Sequence, residues 1–339
     1  MYAIIDIGSN TIRLNVYQVE EDGAIHSIFQ SKETAGLAGY VQEDGSMSRE
    51  GLDRAADALL RFRSILDALH IENRAVFATA SLRNITNSEE AVFQLQERTG
   101  LMIRLLSGRE EAILDYVGAT SGMEEREQGM VLDIGGGSTE WVCFSQGRIR
   151  HAASIPLGSL NLYNRCVETL LPSPKEQAKI RKQVKKALDS APLPDFPCPV
   201  ICGVGGTIRG AGKLCNYLYK LPAGNRTITL NMVDGLLERF SAPAKADLQI
   251  LLKIVPERVH TLLPGLVILS TLAHRCRGDA IEVSSYGVRE GFLGIFRTEG
   301  PIFPGIFAVS GALRMRRAGF YCRFRGLSGC KRDFSASAR

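Results

Sequence analysis

Two short stretches of this chain carry residue types suited to phosphate chemistry. Ile5-Asp6-Ile7-Gly8-Ser9-Asn10-Thr11 and Leu132-Asp133-Ile134-Gly135-Gly136-Gly137-Ser138-Thr139 share one plan. An apolar strand ends near an aspartate, a turn of glycine and small polar residues follows, and a second strand begins. Glycine has no Cβ, so the backbone of such a turn can approach a ligand closely. Its successive N–H groups form a concavity for an anion. Gly8, Ser9 and Asn10, with Gly135, Gly136, Gly137 and Ser138, are therefore candidate phosphate-binding residues. Asp6 and Asp133 offer the hard oxygens that suit Mg²⁺, directly or through water. A third turn, Gly203-Val204-Gly205-Gly206-Thr207, leaves a strand and starts a helix. Gly205, Gly206 and Thr207 thus add a helix N-terminus, another anion site. There is no Walker A motif and no GxGxxG after a strand, which disfavours P-loop NTPases and dinucleotide enzymes.

The elements that must position these residues repeat as well. Asp6 and Asp133 stand 127 residues apart, about one domain, and a duplicated α/β unit with facing turns is the economical explanation. Strands are expected over 2–7, 12–19 and 24–31, the first two around a polar turn. Apolar residues at helical spacing predict a helix over 51–69. A strand over 75–80, a helix over 88–98 and a strand over 102–106 follow. Ser107-Gly108-Arg109-Glu110 fits a capping box, in which Ser107 and Glu110 bond each other's backbone N–H. That leaves the neighbouring Glu111 without a capping task. Strands are expected over 130–134, 139–145 and 148–154. A second capping box, Ser173-Pro174-Lys175-Glu176, opens a helix to about 188. A strand over 200–204, helices over 232–241, 266–276 and 288–296, and a strand over 280–284 complete the reading.

Composition bounds the class. A chain of 339 residues is long for one domain. The expected division is 1–124 and 125–297, followed by an atypical basic tail, 298–339, whose composition predicts disorder. Hydrophobic residues at 45% and charged residues at 23% are values of a soluble globular protein. The apolar stretches 262–273 and 302–313 are short and broken by Pro or Gly, so no membrane span is expected. No secretory leader is visible at the N-terminus. The net charge of +5 sits in the tail, which carries eight of the basic residues and two acids. A nucleic-acid partner is therefore not indicated. Eight cysteines without a CxxC pair read as reduced, buried thiols of a cytoplasmic protein.

At these motifs the chain resembles the exopolyphosphatase / guanosine pentaphosphate phosphohydrolase (Ppx/GppA) family. Four blocks carry the resemblance: Ile5 to Leu14, Ala78-Thr79-Ala80-Ser81-Leu82-Arg83, Leu106-Ser107-Gly108-Arg109-Glu110-Glu111-Ala112, and Val131 to Glu140. Gly205-Gly206-Thr207, Pro264-Gly265-Leu266 and Tyr286-Gly287-Val288-Arg289-Glu290-Gly291 match later blocks. The resemblance covers about residues 1–297. It implies two actin-like (ribonuclease H-like) domains of the actin, sugar-kinase and DnaK-type superfamily, with a cleft between them. It also implies Mg²⁺-assisted hydrolysis of a terminal phosphoanhydride, in polyphosphate or in guanosine penta- or tetraphosphate. By the same resemblance Glu111 is the catalytic base, Glu140 a second essential carboxylate, Arg83 a phosphate contact and Asp133 a metal holder. A homodimer is compatible with it.

The residues agree with that chemistry. Phosphoryl transfer needs charge neutralisation, a positioned water and an acceptor for its proton. Arg13, Arg83, Arg209 and Lys213 are candidate cationic contacts. Two other readings stay open: an ATP-dependent small-molecule kinase of the same superfamily, and a nucleotide sensor without turnover. The Glu111 block argues against the first, and the intact set Asp6, Arg83, Glu111, Asp133 and Glu140 against the second.

Overall fold

The computed structural model describes residues 1–21, 24–121 and 126–299, together with the paired strands Leu313–Met315 and Cys322–Phe324. The expected tail otherwise lies outside the described residues.

The first half runs β1 (Tyr2–Ile7), β2 (Ile12–Val19), β3 (Ile25–Glu33), α1 (Arg49–Ala68), β4 (Arg74–Ala78), α2 (Ala80–Arg83), α3 (Ser88–Thr99), β5 (Ile103–Leu105) and α4 (Gly108–Thr120). The second runs β6 (Gln128–Ile134), β7 (Thr139–Ser145), β8 (Arg148–Ile155), α5 (Ser159–Cys166), α6 (Pro174–Leu188), β9 (Val200–Val204), α7 (Gly205–Leu218) and β10 (Thr227–Thr229). It ends with α8 (Leu230–Arg239), α9 (Lys245–Ile254), α10 (Leu262–Arg275), β11 (Ala280–Val283) and α11 (Val288–Glu299).

The two sheets are copies of one design. The first has the order β3-β2-β1-β4-β5, and the second β8-β7-β6-β9-β11 with β10 added at the edge. In each, an antiparallel three-strand meander joins parallel strands reached by crossovers. The central strands are buried on both faces, as the near-continuous apolar run Ala3, Ile4, Ile5, Ile7 of β1 requires. Helix α1 starts where Ser48 Oγ accepts from Gly51 N. It buries Leu52, Ala55, Ala56, Leu59, Phe62 and Leu66 on one face.

Some boundaries differ from expectation for physical reasons. The strand expected over 75–80 stops at Ala78 because residues 80–83 turn into α2. The helix expected from 266 begins at Leu262, since Pro264 falls in its first turn, where no intrahelical acceptor awaits an N–H. Every residue from Leu262 to Ala273 in α10 is buried. This apolar stretch is the axis of the second half's core, against which α5, α6, α7 and α8 pack. Among the described residues no helix is long and apolar enough to cross a membrane.

Between the sheets lies a layer of two helices. Helix α4 turns Ile113, Tyr116 and Val117 to Val131, Val142 and Phe144 of the second sheet. Helix α11, the last described helix, returns to the first sheet and buries Phe292, Leu293 and Phe296 with Ile4, Tyr17 and Phe77. The two helices touch at backbone distance. A Cβ on Gly118 would stand 2.0 Å from the Gly287 carbonyl oxygen, and one on Gly291 2.0 Å from that of Leu114. At the rim, Lys32 of β3 pairs with Glu257, next to Arg258.

Candidate active site

The three glycine turns meet in one cleft. Gly8 N donates to Thr11 O at 3.2 Å, and Gly135 N to Ser138 O at 3.0 Å, so the first two turns close with the same bond. Gly8, Ser9 and Asn10 line the cleft opposite Gly135, Gly136, Gly137 and Ser138, with Gly205 and Gly206 at the start of α7. Gly205 has φ +86°, and a Cβ there would lie 2.2 Å from Asp133 Oδ1. Only glycine allows both that backbone and the close approach of the carboxylate. Thr207 is fully buried and does not line the cleft; its hydroxyl donates to Ile134 O at 3.2 Å and ties α7 to β6.

The carboxylates gather on the floor. The capping box forms as expected: Glu110 N donates to Ser107 Oγ at 3.2 Å and Ser107 N to Glu110 Oε2 at 2.8 Å. Glu110 also pairs with Arg104 at 3.0 Å, so its charge is committed. Glu111, one residue on, faces the cleft with 7% exposure. Its Oε2 accepts from Arg83 Nη1 at 2.6 Å. The Arg83 guanidinium also donates to Leu106 O, Glu140 Oε1 and Ser138 Oγ, at 3.1, 3.2 and 3.4 Å. Ser154 Oγ donates to Glu140 Oε1 at 2.7 Å. Arg83 and Glu140 therefore sit behind the lining, and Arg83, expected to reach phosphate, bonds Glu111, Glu140, Ser138 and the Leu106 carbonyl there.

Burial raises Glu111, Glu140, Asp133 and Asp6. Burial first, then Glu140, pushes Glu111 well above the ordinary carboxyl range, although Arg83 pulls it down. Glu140 is pushed up to about 7 by burial, against Arg83 and the hydroxyls of Ser138 and Ser154. Asp133 rises to about 6 by burial, against Arg209. Asp6 is raised by burial, against Arg289 and Arg13.

The cations of the cleft form a second group. Arg13, Arg209, Arg258 and Arg289 line it, and none makes an ion pair among the described residues. Arg209 is lowered to about 10, by burial first and then by Arg289 and Arg13. Such a like-charged group is poised for an anion. Lys213, expected with Arg209, is exposed on α7 and outside the cleft. Arg258 was not singled out from sequence, and Arg289 only as part of a matched block, since each is far in sequence from the other cations of the cleft. Asp115 was missed too, although a carboxyl amid Ile113, Leu114, Tyr116 and Val117, one turn after Glu111, is a signal.

The residues fit a divalent cation in one respect. Asp133 Oδ1 and Glu140 Oε2 are buried without a hydrogen-bond partner. Among the described residues no three acid, histidine or cysteine side chains form a ready-made cage. Mg²⁺ keeps several waters and takes the rest of its shell from one or two carboxylates and substrate phosphates, so a cage is not required. Cys143, Cys166, Cys198, Cys202, Cys215 and Cys276 are free and buried, as expected.

Fold and site together describe a cleft lined by glycine turns, arginines and buried carboxylates, and comparison with known proteins sets it in a family. The sequence model of the Ppx/GppA phosphatase family matches residues 16–295, and the chain belongs to this family. A Haemophilus influenzae protein provisionally named an exopolyphosphatase is 26% identical over 294 residues, 86% of this chain and 90% of that one. The solved structure of the Aquifex aeolicus PPX-GPPA enzyme superposes with a TM-score of 0.70 at 24% identity, covering 86% of this chain and 98% of its own. An exopolyphosphatase from Cytophaga hutchinsonii gives a TM-score of 0.75 at 20% identity, covering 87% and 97%. The fold is the duplicated actin-like pair expected from the sequence.

Proposed function

We propose that this chain releases terminal phosphate from inorganic polyphosphate, from pppGpp or from both, by attack of water with Mg²⁺ as cofactor. The observation that carries this reading is the charge of the cleft: arginines without an ion pair stand beside buried carboxylates that are raised above their ordinary range. A chain of phosphates needs the first, and an attacking water needs the second.

The arginines and the N–H groups of the three glycine turns bind and orient the phosphates. Glu111 takes the proton from water. Its burial keeps its basicity high, and Arg83 fixes its direction through the 2.6 Å bond. Arg83 holds Glu140 at the same time, so one guanidinium sets the spacing of two acids. Asp133, with Asp6 from the facing turn, holds Mg²⁺, which when bound neutralises charge on the phosphate oxygens.

The test is phosphate release by the purified protein with Mg²⁺, given long polyphosphate, pppGpp and ATP separately. Release from either of the first two supports the reading. Turnover of ATP alone, with a phosphorylated acceptor, would replace it with a kinase.

A further inference from the structure

Asp115 is the buried acid that the reaction above does not use. It sits on α4 four residues after Glu111, so both project from one face of the helix. Its residue is 1% exposed, yet it lines the cleft. Neither of its buried carboxylate oxygens has a well-formed hydrogen bond, although the backbone N–H of Val288 at the start of α11 turns toward the carboxylate; unmet acid oxygens recur nearby at Asp133 Oδ1 and Glu140 Oε2. Its surroundings leave it little choice of partner. A Cβ on Gly287 would lie 3.1 Å from Asp115 Oδ1, so the turn before α11 closes over it with bare backbone. No arginine pairs with it among the described residues. An ionised carboxylate buried with two unmet oxygens is costly unless a cation or proton joins it.

We propose that Asp115 is a metal-ligating residue: it and Asp133 supply the direct protein oxygens that hold a divalent cation on the cleft floor, with Asp6 reaching it through water. Water and substrate phosphate oxygens fill the remaining positions, which is the usual shell of Mg²⁺ and explains why two side chains suffice. The inference rests on the cleft being a Mg²⁺ site, as in the proposed function, and adds a ligand from α4. It places the cation one helical turn from Glu111, so the helix that carries the base also carries a metal ligand.

The experiment is Mn²⁺ binding to the full chain without substrate, read by the loss of the free Mn²⁺ electron paramagnetic resonance signal. Asp115→Asn keeps the shape and removes the charge, and relief of the buried charge favours folding. Asp115→Ser serves as a second variant of smaller size. Glu110→Gln, in the capping box, is the control. The expected result is Mn²⁺ affinity weakened at least tenfold in the Asp115 variants, with thermal unfolding of the metal-free variants no lower than that of the parent. Affinity within twofold of the parent in either folded variant overturns the proposal. Phosphate release by the parent chain is scored separately. If the parent hydrolyses polyphosphate while the Asp115 variants keep full Mn²⁺ affinity, the ligand assignment fails and the function stands. If the variants lose Mn²⁺ and the parent releases no phosphate, the reverse holds.

Discussion

Arg13 and Glu140 occupy the same place in the two copies of the repeated unit. Arg13 lies directly across β1 and β2 from Asp6, and Glu140 directly across β6 and β7 from Asp133. The aspartate is kept in both copies, and the charge of its cross-strand neighbour is inverted. One sheet therefore brings a cation to the cleft where the other places an acid just behind its lining. A symmetric pair of folds thus divides opposite charges between its two halves at one equivalent position.

Glu111 and Glu110 provide adjacent tests of the proposed base. Glu111→Gln keeps size and the Arg83 contact but removes the base. It should lower kcat by roughly 10²–10⁴-fold with KM little changed. Glu110→Gln should cost little, since Gln can serve in a capping box. Steady-state kinetics of both variants decide it, and an inactive Glu110→Gln beside an active Glu111→Gln would reverse the two roles.

The unpaired arginines should govern affinity rather than rate. Arg209→Ala and Arg258→Ala are expected to raise KM for polyphosphate severalfold and to leave thermal stability unchanged or higher, because each removes like-charge repulsion. Polyphosphate affinity should also fall more steeply with salt than pppGpp affinity, since a longer polyanion releases more counterions. Equal salt slopes for the two substrates would argue against an extended cationic track.

Stability of the metal-free protein should fall as pH rises. The folded state holds protons on Asp133 up to about 6 and on Glu140 up to about 7. The unfolded chain releases them near 3.8 and 4.5. Folding therefore takes up protons in that window, and the stability this gives at low pH is lost as pH passes through the folded values. Thermal unfolding in chelator at pH 5.5 and at pH 8 should show the lower midpoint at pH 8. Added Mg²⁺ should recover part of the loss by binding the folded state. A higher midpoint at pH 8 in chelator would contradict the raised values.

The contact between α4 and α11 should tolerate no added carbon. Gly291→Ala sets a Cβ against the Leu114 carbonyl, a rigid backbone atom, so the helices must separate. The expected cost is about 1–3 kcal/mol, measured by urea unfolding. A variant as stable as the parent would mean that the helix layer yields more easily than its spacing suggests.

Much of this was legible in the sequence because local signals and final structure agreed. The repeated Asp-Ile-Gly motif marks both hairpins, and Ser107 and Glu110 formed the expected cap. What escaped reading lacks a local signal. Helix α5 has no Ser, Thr or Asp cap; Gly158 N is instead bonded by Asn161 Oδ1. Helix α9 begins after Ala244, with Asp247 reaching back to the Ala244 N–H. Arg258 and Arg289 meet Arg13 and Arg209 only through the fold, from segments far apart in sequence. Arg83 was singled out as a motif residue, but its bonds to Glu111 and Glu140 depend on two separate elements converging.

The return of α11 to the first sheet has a consequence for synthesis. A nascent chain ending at residue 121 already contains β1, β2 and β4, but the side of Ile4, Tyr17 and Phe77 that α11 covers still faces water. That side closes only when Phe292, Leu293 and Phe296 have left the ribosome. The same event bonds Glu290 to Tyr17 at 2.6 Å and Arg289 to Asn15 at 2.8 Å, delivering the last cation to the cleft. No nascent chain shorter than 289 residues therefore carries the whole set of cleft charges.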